Sequence, residues 1–187
     1  MNVLSVVQFD LRRAPFSAEP HAVRRRACLD MVRFADASGF SVAGFSEHHN
    51  SDDGFLNAPF ILASAAGACT QRIAVSVSAL QLPLHDPLRV AEDIVALDAI
   101  TQGRFSVTMG LGYRESEYQC FGVDWATRGR VFDQKLDMLL RALSGETLMR
   151  NGTAFRLVPA LDKGARSVVF VGGNSRAAAR RAARFRL

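Results

Sequence analysis

The chain has 187 residues and a formal net charge of +5, and 49% of its residues are apolar. This length supports one sizeable hydrophobic core, and no apolar run reaches the length that a membrane-spanning helix needs. The positive charge is concentrated in two arginine-rich runs, residues 24–26 and 176–186. Surfaces that bind single-stranded nucleic acid place aromatic residues among the basic ones, and neither run has such aromatic residues. We therefore expect no nucleic-acid partner.

The N-terminal run VLSVVQF (3–9) has no basic residues before it and no small-residue cleavage site after it. We therefore interpret it as a first strand rather than a signal peptide.

The three cysteines, Cys28, Cys69 and Cys120, lack metal-ligand spacing. Their odd number and apolar or helical surroundings predict reduced, mostly packed thiols and a cytoplasmic protein.

Strand-like and helix-like segments alternate along the rest of the chain. Strands are predicted at five apolar runs, residues 3–9, 40–46, 72–80, 104–112 and 167–173. Helices are predicted at residues 21–37 and 58–68, from Asp86-Pro87 to Gly103, and at residues 130–145 and 175–185. A hairpin is predicted at residues 147–157, where Asn151-Gly152 separates two short strand-like runs.

Apolar spacing assigns an inward face to three of these helices. These faces are Val23, Ala27, Met31, Phe34 and Ala35 in the first helix; Val90, Ala91, Ile94, Val95 and Leu97 in the third; and Phe132, Leu136, Leu139 and Leu143 in the fourth. Apolar strands alternating with helices predict an α/β fold in which helices cover a parallel sheet. An open doubly wound sheet and a (β/α) barrel both fit this pattern.

Both architectures bind ligands at the carboxyl ends of their strands. We therefore expect four segments to converge on one rim: His48-His49 after the second strand, residues 78–84 after the third, residues 110–114 after the fourth and residues 172–175 after the fifth. Gly110 and Gly112 would allow a flat ligand to approach the backbone, and Arg114 could meet a phosphate or carboxylate. A tight turn with surface charges is the alternative for this segment.

The segment Gly172-Gly173-Asn174-Ser175 leads from a strand into a helix. Its backbone and the helix N-terminus would suit a phosphate, and the alternative is that Asn174 or Ser175 only caps the helix.

In Glu47-His48-His49, a histidine could exchange protons, with Glu47 orienting one ring. Because neighbours on an extended segment point to opposite sides, we expect one histidine to face the site and the other to pack beneath it. A metal site is the weaker alternative, because no third ligand stands at suitable spacing, and we predict none.

Four segments together resemble the bacterial luciferase-like flavin monooxygenase superfamily. They are EHH (47–49), HDPLRVAEDIVALDAITQGRF (85–105), GLGYRESEYQCFG (110–122) and FVGGNSRAAARRAA (170–183). The second segment is the most specific of the four. In it, Pro87, Ala91-Glu92-Asp93, Leu97-Asp98 and Gly103-Arg104-Phe105 come in order at the family's spacing.

The resemblance implies a (β/α)8 TIM barrel that binds FMN, or a deazaflavin coenzyme (F420), at its carboxyl rim. FMN-dependent members oxidise a small organic substrate with oxygen and reduced flavin, which a separate reductase supplies. Deazaflavin-dependent members transfer a hydride instead. A flavin-binding or oligomerising remnant without turnover is a third alternative for this chain.

The resemblance also assigns roles to residues. His48 assists catalysis, and we expect Glu47 or His49 to support it. The flavin ring lies near Val77 and Ser78, where a non-prolyl cis peptide is expected, and Gly110 contacts it. The phosphate lies at Gly172, Gly173, Asn174 and Ser175. Leu111 stands where luciferases have a phosphate-binding arginine, and Arg114 is the expected replacement.

The family barrel has eight strands, and this chain supplies about five. We therefore predict a single luciferase-like domain over residues 1–187 that is C-terminally truncated relative to the family, with an incomplete barrel. Unpaired strand edges and uncovered apolar helix faces favour association, so we expect a homo-oligomer.

Overall fold

In the computed structural model, which describes residues 4–187, strands and helices alternate as the sequence predicts. The strands are β1 (Val6–Phe9), β2 (Val42–Phe45), β3 (Ala74–Gln81), β4 (Phe105–Gly110), β5 (Leu148–Arg150), β6 (Thr153–Phe155) and β7 (Val169–Val171). The helices are α1 (His21–Ala37), α2 (Pro59–Ala68), α3 (Pro87–Ile100), α4 (Glu115–Cys120), α5 (Arg128–Leu143) and α6 (Arg176–Phe185). Each predicted element has an observed counterpart, although residue 3 of the first predicted strand lies outside the described residues. Helix α4 was not predicted.

The five core strands form one parallel sheet in the order β1-β2-β3-β4-β7. Each successive strand is added at the same edge, as in the wall of a (β/α) barrel, whereas a doubly wound sheet reverses direction part-way. Over residues 4–187, β1 and β7 each pair with only one neighbour and do not pair with each other. The fold class is therefore α/β with five parallel strands in sequential order.

The two faces of this sheet have different surroundings. Val75, Val77, Val107 and Val169 are fully buried beneath the helices. The alternate positions on β3 and β4 carry small polar side chains that remain partly exposed, namely Ser76, Ser78, Ser106 and Thr108. Because successive side chains of a strand point to opposite faces, helices cover one face of the sheet and leave the other accessible.

The predicted inward faces of α3 and α5 are confirmed. In α3 the buried residues are Val90, Ala91, Ile94 and Leu97, and Val95 is half-buried. All four predicted residues of α5 are buried.

The hairpin is also confirmed, with β5 antiparallel to β6 and positive φ angles of 52° at Asn151 and 77° at Gly152. No helix within the described residues combines the length and apolar character needed to cross a membrane.

The predicted inward face of α1 is wrong apart from Ala35. The helix packs through Cys28, Val32 and Ala35, whereas Val23, Ala27, Met31 and Phe34 are exposed. Helix α1 carries two apolar stripes, and the stripe with the smaller side chains faces the core, because small side chains permit close approach. Burial raises the pKa of the Cys28 thiol to about 12, as expected for a packed, unreactive cysteine.

Asp36, at the end of α1, joins this helix to the start of β3. Its carboxylate accepts hydrogen bonds from the backbone N–H groups of Gln71, Arg72 and Ile73 at 2.9, 2.9 and 2.7 Å. Burial alone would raise the pKa of Asp36, but these three donors and the charge of Arg72 lower it overall. The contribution of Asp36 to stability is therefore present above its unfolded pKa and is lost as the pH falls through the folded pKa.

We predict that Asp36→Ala lowers the free energy of unfolding by about 1–3 kcal/mol at neutral pH, because three donors lose their acceptor. Urea denaturation measures the effect, and the deficit should shrink below about pH 4. Asp30→Ala is the matched control, since Asp30 lies on the same helix in an exposed pair with Arg33 and should change stability by no more than about 0.5 kcal/mol. Equal losses in both variants would contradict the assigned role of Asp36.

Apolar side chains are exposed at both edges of the sheet. Val6 on β1 and Phe170 on β7 are 50% and 46% exposed, and each strand has an unpaired edge over the described residues. Such edges favour pairing with another chain.

We predict that the purified chain self-associates through these edges. Light scattering during size-exclusion chromatography measures the molar mass of the resulting species. A sharp monomer peak with cooperative unfolding would show that the open sheet is stable alone.

Candidate active site

The carboxyl ends of the core strands meet at one rim, and two adjoining cavities open there. The first, named here the histidine cavity, has a volume of about 450 Å³ and is bounded by Arg12, Glu47, His48, Phe55, Gln81 and Arg114, among others. The second, the glycine cavity, has a volume of about 700 Å³ and includes the turn 172–175, Arg128, Gly129 and Arg181. Ser78, Ala79, Gly110, Gly112 and Tyr113 line both cavities. The shared wall makes them one continuous cleft.

His48 is held on both ring nitrogens. Its Nδ1 lies 2.8 Å from Oε1 of Glu117, and its Nε2 lies 2.9 Å from the hydroxyl of Tyr113. The backbone N–H of His49 donates to the same Glu117 oxygen at 2.9 Å. Because that oxygen is an acceptor, Nδ1 of His48 donates to Glu117, and Nε2 meets the Tyr113 hydroxyl on the cavity side.

Glu117 is fully buried on α4, and its other oxygen, Oε2, has no hydrogen-bond partner among the described residues. The nearest cation is Arg114, whose Nη1 lies 3.8 Å from Oε1. The His48 ring also contacts Phe55 and Tyr113 edge-on, at centroid distances of 4.7 and 5.0 Å. The imidazole is therefore fixed in position by a buried carboxylate beneath it and two aromatic rings beside it.

His49 lies on the opposite side of the segment, away from both cavities. Its Nε2 is 3.2 Å from Oε1 of Glu47, and Nε2 of His85 is 2.7 Å from the same oxygen. The backbone N–H of Gln81 donates to Oε2 of Glu47 at 2.5 Å. Burial alone would raise the pKa of Glu47, but hydrogen bonds from His49, His85 and Gln81 and the charge of His85 lower it to about 2.

The glycine cavity is shaped by residues that have no room for a side chain. A Cβ on Gly172 would lie 2.8 Å from Cγ2 of Thr108, and one on Gly173 would lie 2.7 Å from the Cβ of Ala178. Ser175 caps α6, since its hydroxyl accepts from the N–H of Ala178 at 3.2 Å. The capping alternative for this turn is thus observed, and the remaining N–H groups at the start of α6 still face an open cavity.

A sequence model of the family described as luciferase-like monooxygenase matches residues 1–186. The chain belongs to the luciferase-like monooxygenase family. Among curated relatives, it is 31% identical over 118 residues to 4-hydroxyprotoasukamycin monooxygenase of Streptomyces nodosus subsp. asukaensis and 31% identical over 120 residues to limonene 1,2-monooxygenase of Rhodococcus erythropolis. These matches cover 63% and 64% of the chain but only 32% and 31% of the relatives. The matched segment thus spans about a third of the length of these relatives.

Solved structures share the fold at low sequence identity. The monooxygenase RslO1 from Streptomyces bottropensis superposes with a TM-score of 0.82 at 22% identity, over 97% of this chain and 57% of that one. The oxygenating constituent of 3,6-diketocamphane monooxygenase from Pseudomonas putida, in complex with FMN, gives 0.74 at 20% identity, over 87% and 45%. Coenzyme F420-dependent tetrahydromethanopterin reductase from Methanopyrus kandleri gives 0.71 at 14% identity, over 97% and 53%.

Several residues of this luciferase-like rim lie elsewhere than expected. Glu47 supports His49 rather than His48, because alternate residues of an extended segment share a side. The side chain of Val77 is buried on the helix-covered face and lines neither cavity, whereas Ser78 lines both. By contrast, a non-prolyl cis peptide is present near the expected position, at Ser78-Ala79, the bond next to Val77-Ser78. Arg114 lines the histidine cavity only, so Arg128 and Arg181 are the arginines beside the glycine turn.

Sequence reasoning missed Arg128, which lies outside the family motifs, and it missed Glu117 and His85 as partners of the segment Glu47-His48-His49. Tyr113 and Gln81 lie within the predicted rim segments 110–114 and 78–84, but no role was assigned to them. Glu117 lies 69 positions from His48, and His85 lies 38 positions from Glu47. Glu117 and Tyr113 belong to the segment GLGYRESEYQCFG, and His85 begins the segment HDPLRVAEDIVALDAITQGRF. The family motifs were therefore the one signal that pointed to them, since no local spacing connects them to the histidine pair.

Proposed function

We propose that this chain carries the flavin-binding rim and the catalytic histidine of an oxidoreductase that oxidises a small organic substrate with oxygen and reduced FMN. The observation that carries the proposal is His48, which is held by buried Glu117 and opens into the cleft that continues to the glycine turn. Membership of the luciferase-like monooxygenase family supports it. The reduced flavin would come from a separate reductase in the cytoplasm, and the working form would be a homo-oligomer.

The residues of the cleft fit a flavin. Both side-chain amide atoms of Gln81 are buried without partners in the described chain, and Gln81 lines the histidine cavity. An amide suits the alternating N–H and C=O groups at the edge of an isoalloxazine ring. Ser78, Ala79 and Gly110 provide the small side chains that a flat ring can approach closely. Gln81 would therefore bind the ring edge, with these small residues beside the ring.

The turn 172–175 and the arginines beside it would bind the phosphate. Asn174, Ser175 and the first N–H groups of α6 supply uncharged donors, and Arg128 supplies charge. Arg181 is already paired with Asp133. Its guanidinium also lies over Phe132, 4.6 Å from the ring centroid. Arg128 lies over Trp125, 3.7 Å from the ring centroid, and donates to the Trp125 carbonyl, but it has no carboxylate partner among the described residues. Its charge is therefore uncompensated, which makes it the better candidate for the phosphate contact.

A bound reduced flavin would supply two electrons, so that one oxygen atom of O₂ enters the substrate and the other leaves as water. His48 would hold Nε2 and the Tyr113 hydroxyl bonded to it at a fixed position beside the cavity, because Glu117 binds the other ring nitrogen. Protons could be exchanged with the substrate through this pair. Phe55 and Tyr113 would limit the access of water to that nitrogen. His49 would act as a support for the segment and would not contact the substrate.

A deazaflavin-dependent hydride transfer is the second candidate function. The likeness of the fold to an F420-dependent reductase supports it. The same cleft would hold either cofactor, since both present a tricyclic ring and a phosphate. Absorption spectra recorded with added FMN and with F420 distinguish the two functions by which cofactor binds.

We predict that His48→Gln lowers aldehyde-dependent oxygen consumption with reduced FMN by about 100-fold or more. The glutamine keeps an N–H for Glu117, so FMN affinity and the unfolding midpoint should change little. Oxygen consumption, flavin fluorescence and thermal unfolding are measured on the same samples. His21→Gln is the control, because His21 is an exposed residue of α1 bonded to Arg24. Wild-type turnover together with a lowered unfolding midpoint in His48→Gln would assign this residue a structural role instead.

We predict that Arg128→Ala weakens FMN binding by about 10- to 100-fold and leaves riboflavin binding unchanged, because riboflavin lacks the phosphate. Fluorescence titration with the two ligands measures the difference. Arg130→Ala is the matched control, since Arg130 is an exposed residue two positions along the same helix. If the wild-type chain binds FMN and riboflavin with equal affinity, the phosphate does not bind at this turn.

A further inference from the structure

Three side chains at the edge of the proposed flavin cleft each direct one possible ligand atom toward a common point. They are Glu47, His49 and His85, and their ligand atoms all lie within 4.8 Å of one another. Glu47 and His49 follow β2, and His85 precedes α3, so the cluster joins two segments of the rim. Two imidazoles and one carboxylate form a donor set that zinc commonly takes in proteins.

The distances in the cluster are close to those around a zinc ion. Bonds of about 2.0–2.1 Å in a tetrahedral arrangement separate the ligand atoms by about 3.3 Å. Oε1 of Glu47 lies 3.2 Å from Nε2 of His49 and 2.7 Å from Nε2 of His85. Small shifts of the two rings would therefore accommodate the ion. His85, with 29% of its side chain exposed, has the most room to move of the three ligands.

The three ligands are held by a surrounding shell of hydrogen bonds. The N–H of Gln81 binds Oε2 of Glu47 and so directs Oε1 toward the histidines. Lys135 donates to the carbonyl oxygens of Pro83 and His85 at 2.6 and 2.7 Å, which fixes the turn that bears His85. Such outer contacts orient the ligands of protein metal sites.

The cluster has access to solvent from the side opposite the histidine cavity. A cavity of about 230 Å³ is lined by Glu47, His85, Phe60, Ile61 and Asp93, among others. It provides an entry path and room for a water molecule as a fourth ligand. Glu47 lines both this cavity and the histidine cavity, so its carboxylate separates the cluster from the proposed flavin site.

We infer that Glu47, His49 and His85 form a zinc-binding site with a fourth position open to water. The ion would join the segment after β2 to the turn before α3 and would leave His48 free to face the cleft. This inference does not depend on the proposed function, because neither flavin nor turnover is needed to detect the ion.

The test is metal binding by the full chain without flavin, in a Cys120→Ser background that removes the exposed thiol. Zn²⁺ affinity is measured by competition with a chromophoric chelator, and Co²⁺ serves as a spectroscopic substitute. We expect one ion per chain, visible Co²⁺ bands of a four- or five-coordinate site without a thiolate charge-transfer band, and a higher unfolding midpoint with Zn²⁺.

His85→Ala should lower Zn²⁺ affinity by more than about 100-fold, because it removes a direct ligand. It should also abolish the rise in the unfolding midpoint, and circular dichroism checks that the variant is folded. His21→Ala, which removes the histidine farthest along the chain from the cluster, should bind Zn²⁺ like the wild type. Equal affinity in His85→Ala and the wild type, or a thiolate band with Co²⁺, would overturn the site. In that case the three residues form only a hydrogen-bonded support for the rim.

Discussion

Two buried carboxylates, Glu47 and Glu117, determine how the rim is arranged. Neither side chain has any exposed surface, and transferring a carboxylate out of water costs several kcal/mol unless hydrogen bonds replace the lost hydration. Glu47 meets this requirement on both oxygens, through the His49 ring and the N–H of Gln81. Glu117 meets it on Oε1, which binds the His48 ring and the N–H of His49, while Oε2 has no partner among the described residues. The positions of both neighbouring histidines therefore follow from the need to satisfy these two acids.

This constraint explains which parts of the site the sequence alone could predict. The opposite orientation of His48 and His49 follows from the geometry of an extended segment, and the Gly172-Gly173 turn follows from a strand that runs into a helix. The partners of the histidines do not follow from local pattern, because Glu117 and His85 come from other βα connections. Glu117 also lies on the six-residue helix α4, which is too short for apolar periodicity to reveal.

The fold shows the same division between local and long-range information. The locations of the strands follow from their apolar runs, although their observed ends differ from the predicted ones by up to three residues. The inward faces of α3 and α5 follow from periodicity, because a single apolar stripe leaves one way to pack. Helix α1 has two stripes, and only its neighbours in three dimensions select Cys28, Val32 and Ala35 over Met31 and Phe34. Strand order is likewise a property of the assembled sheet, which is why the barrel-like and doubly wound alternatives stayed open until the pairing of β1 to β7 was known.

The side chain of Glu47 is a common wall of two cavities on opposite sides of the segment after β2. A ligand in either cavity that favours one position of this carboxylate changes the free energy of binding in the other. Such a coupling is reciprocal, since the factor by which the first ligand alters the affinity of the second equals the factor in the reverse direction. Because one buried carboxylate serves both sides, a small shift of this side chain would be enough to couple the two cavities without any movement of the strands.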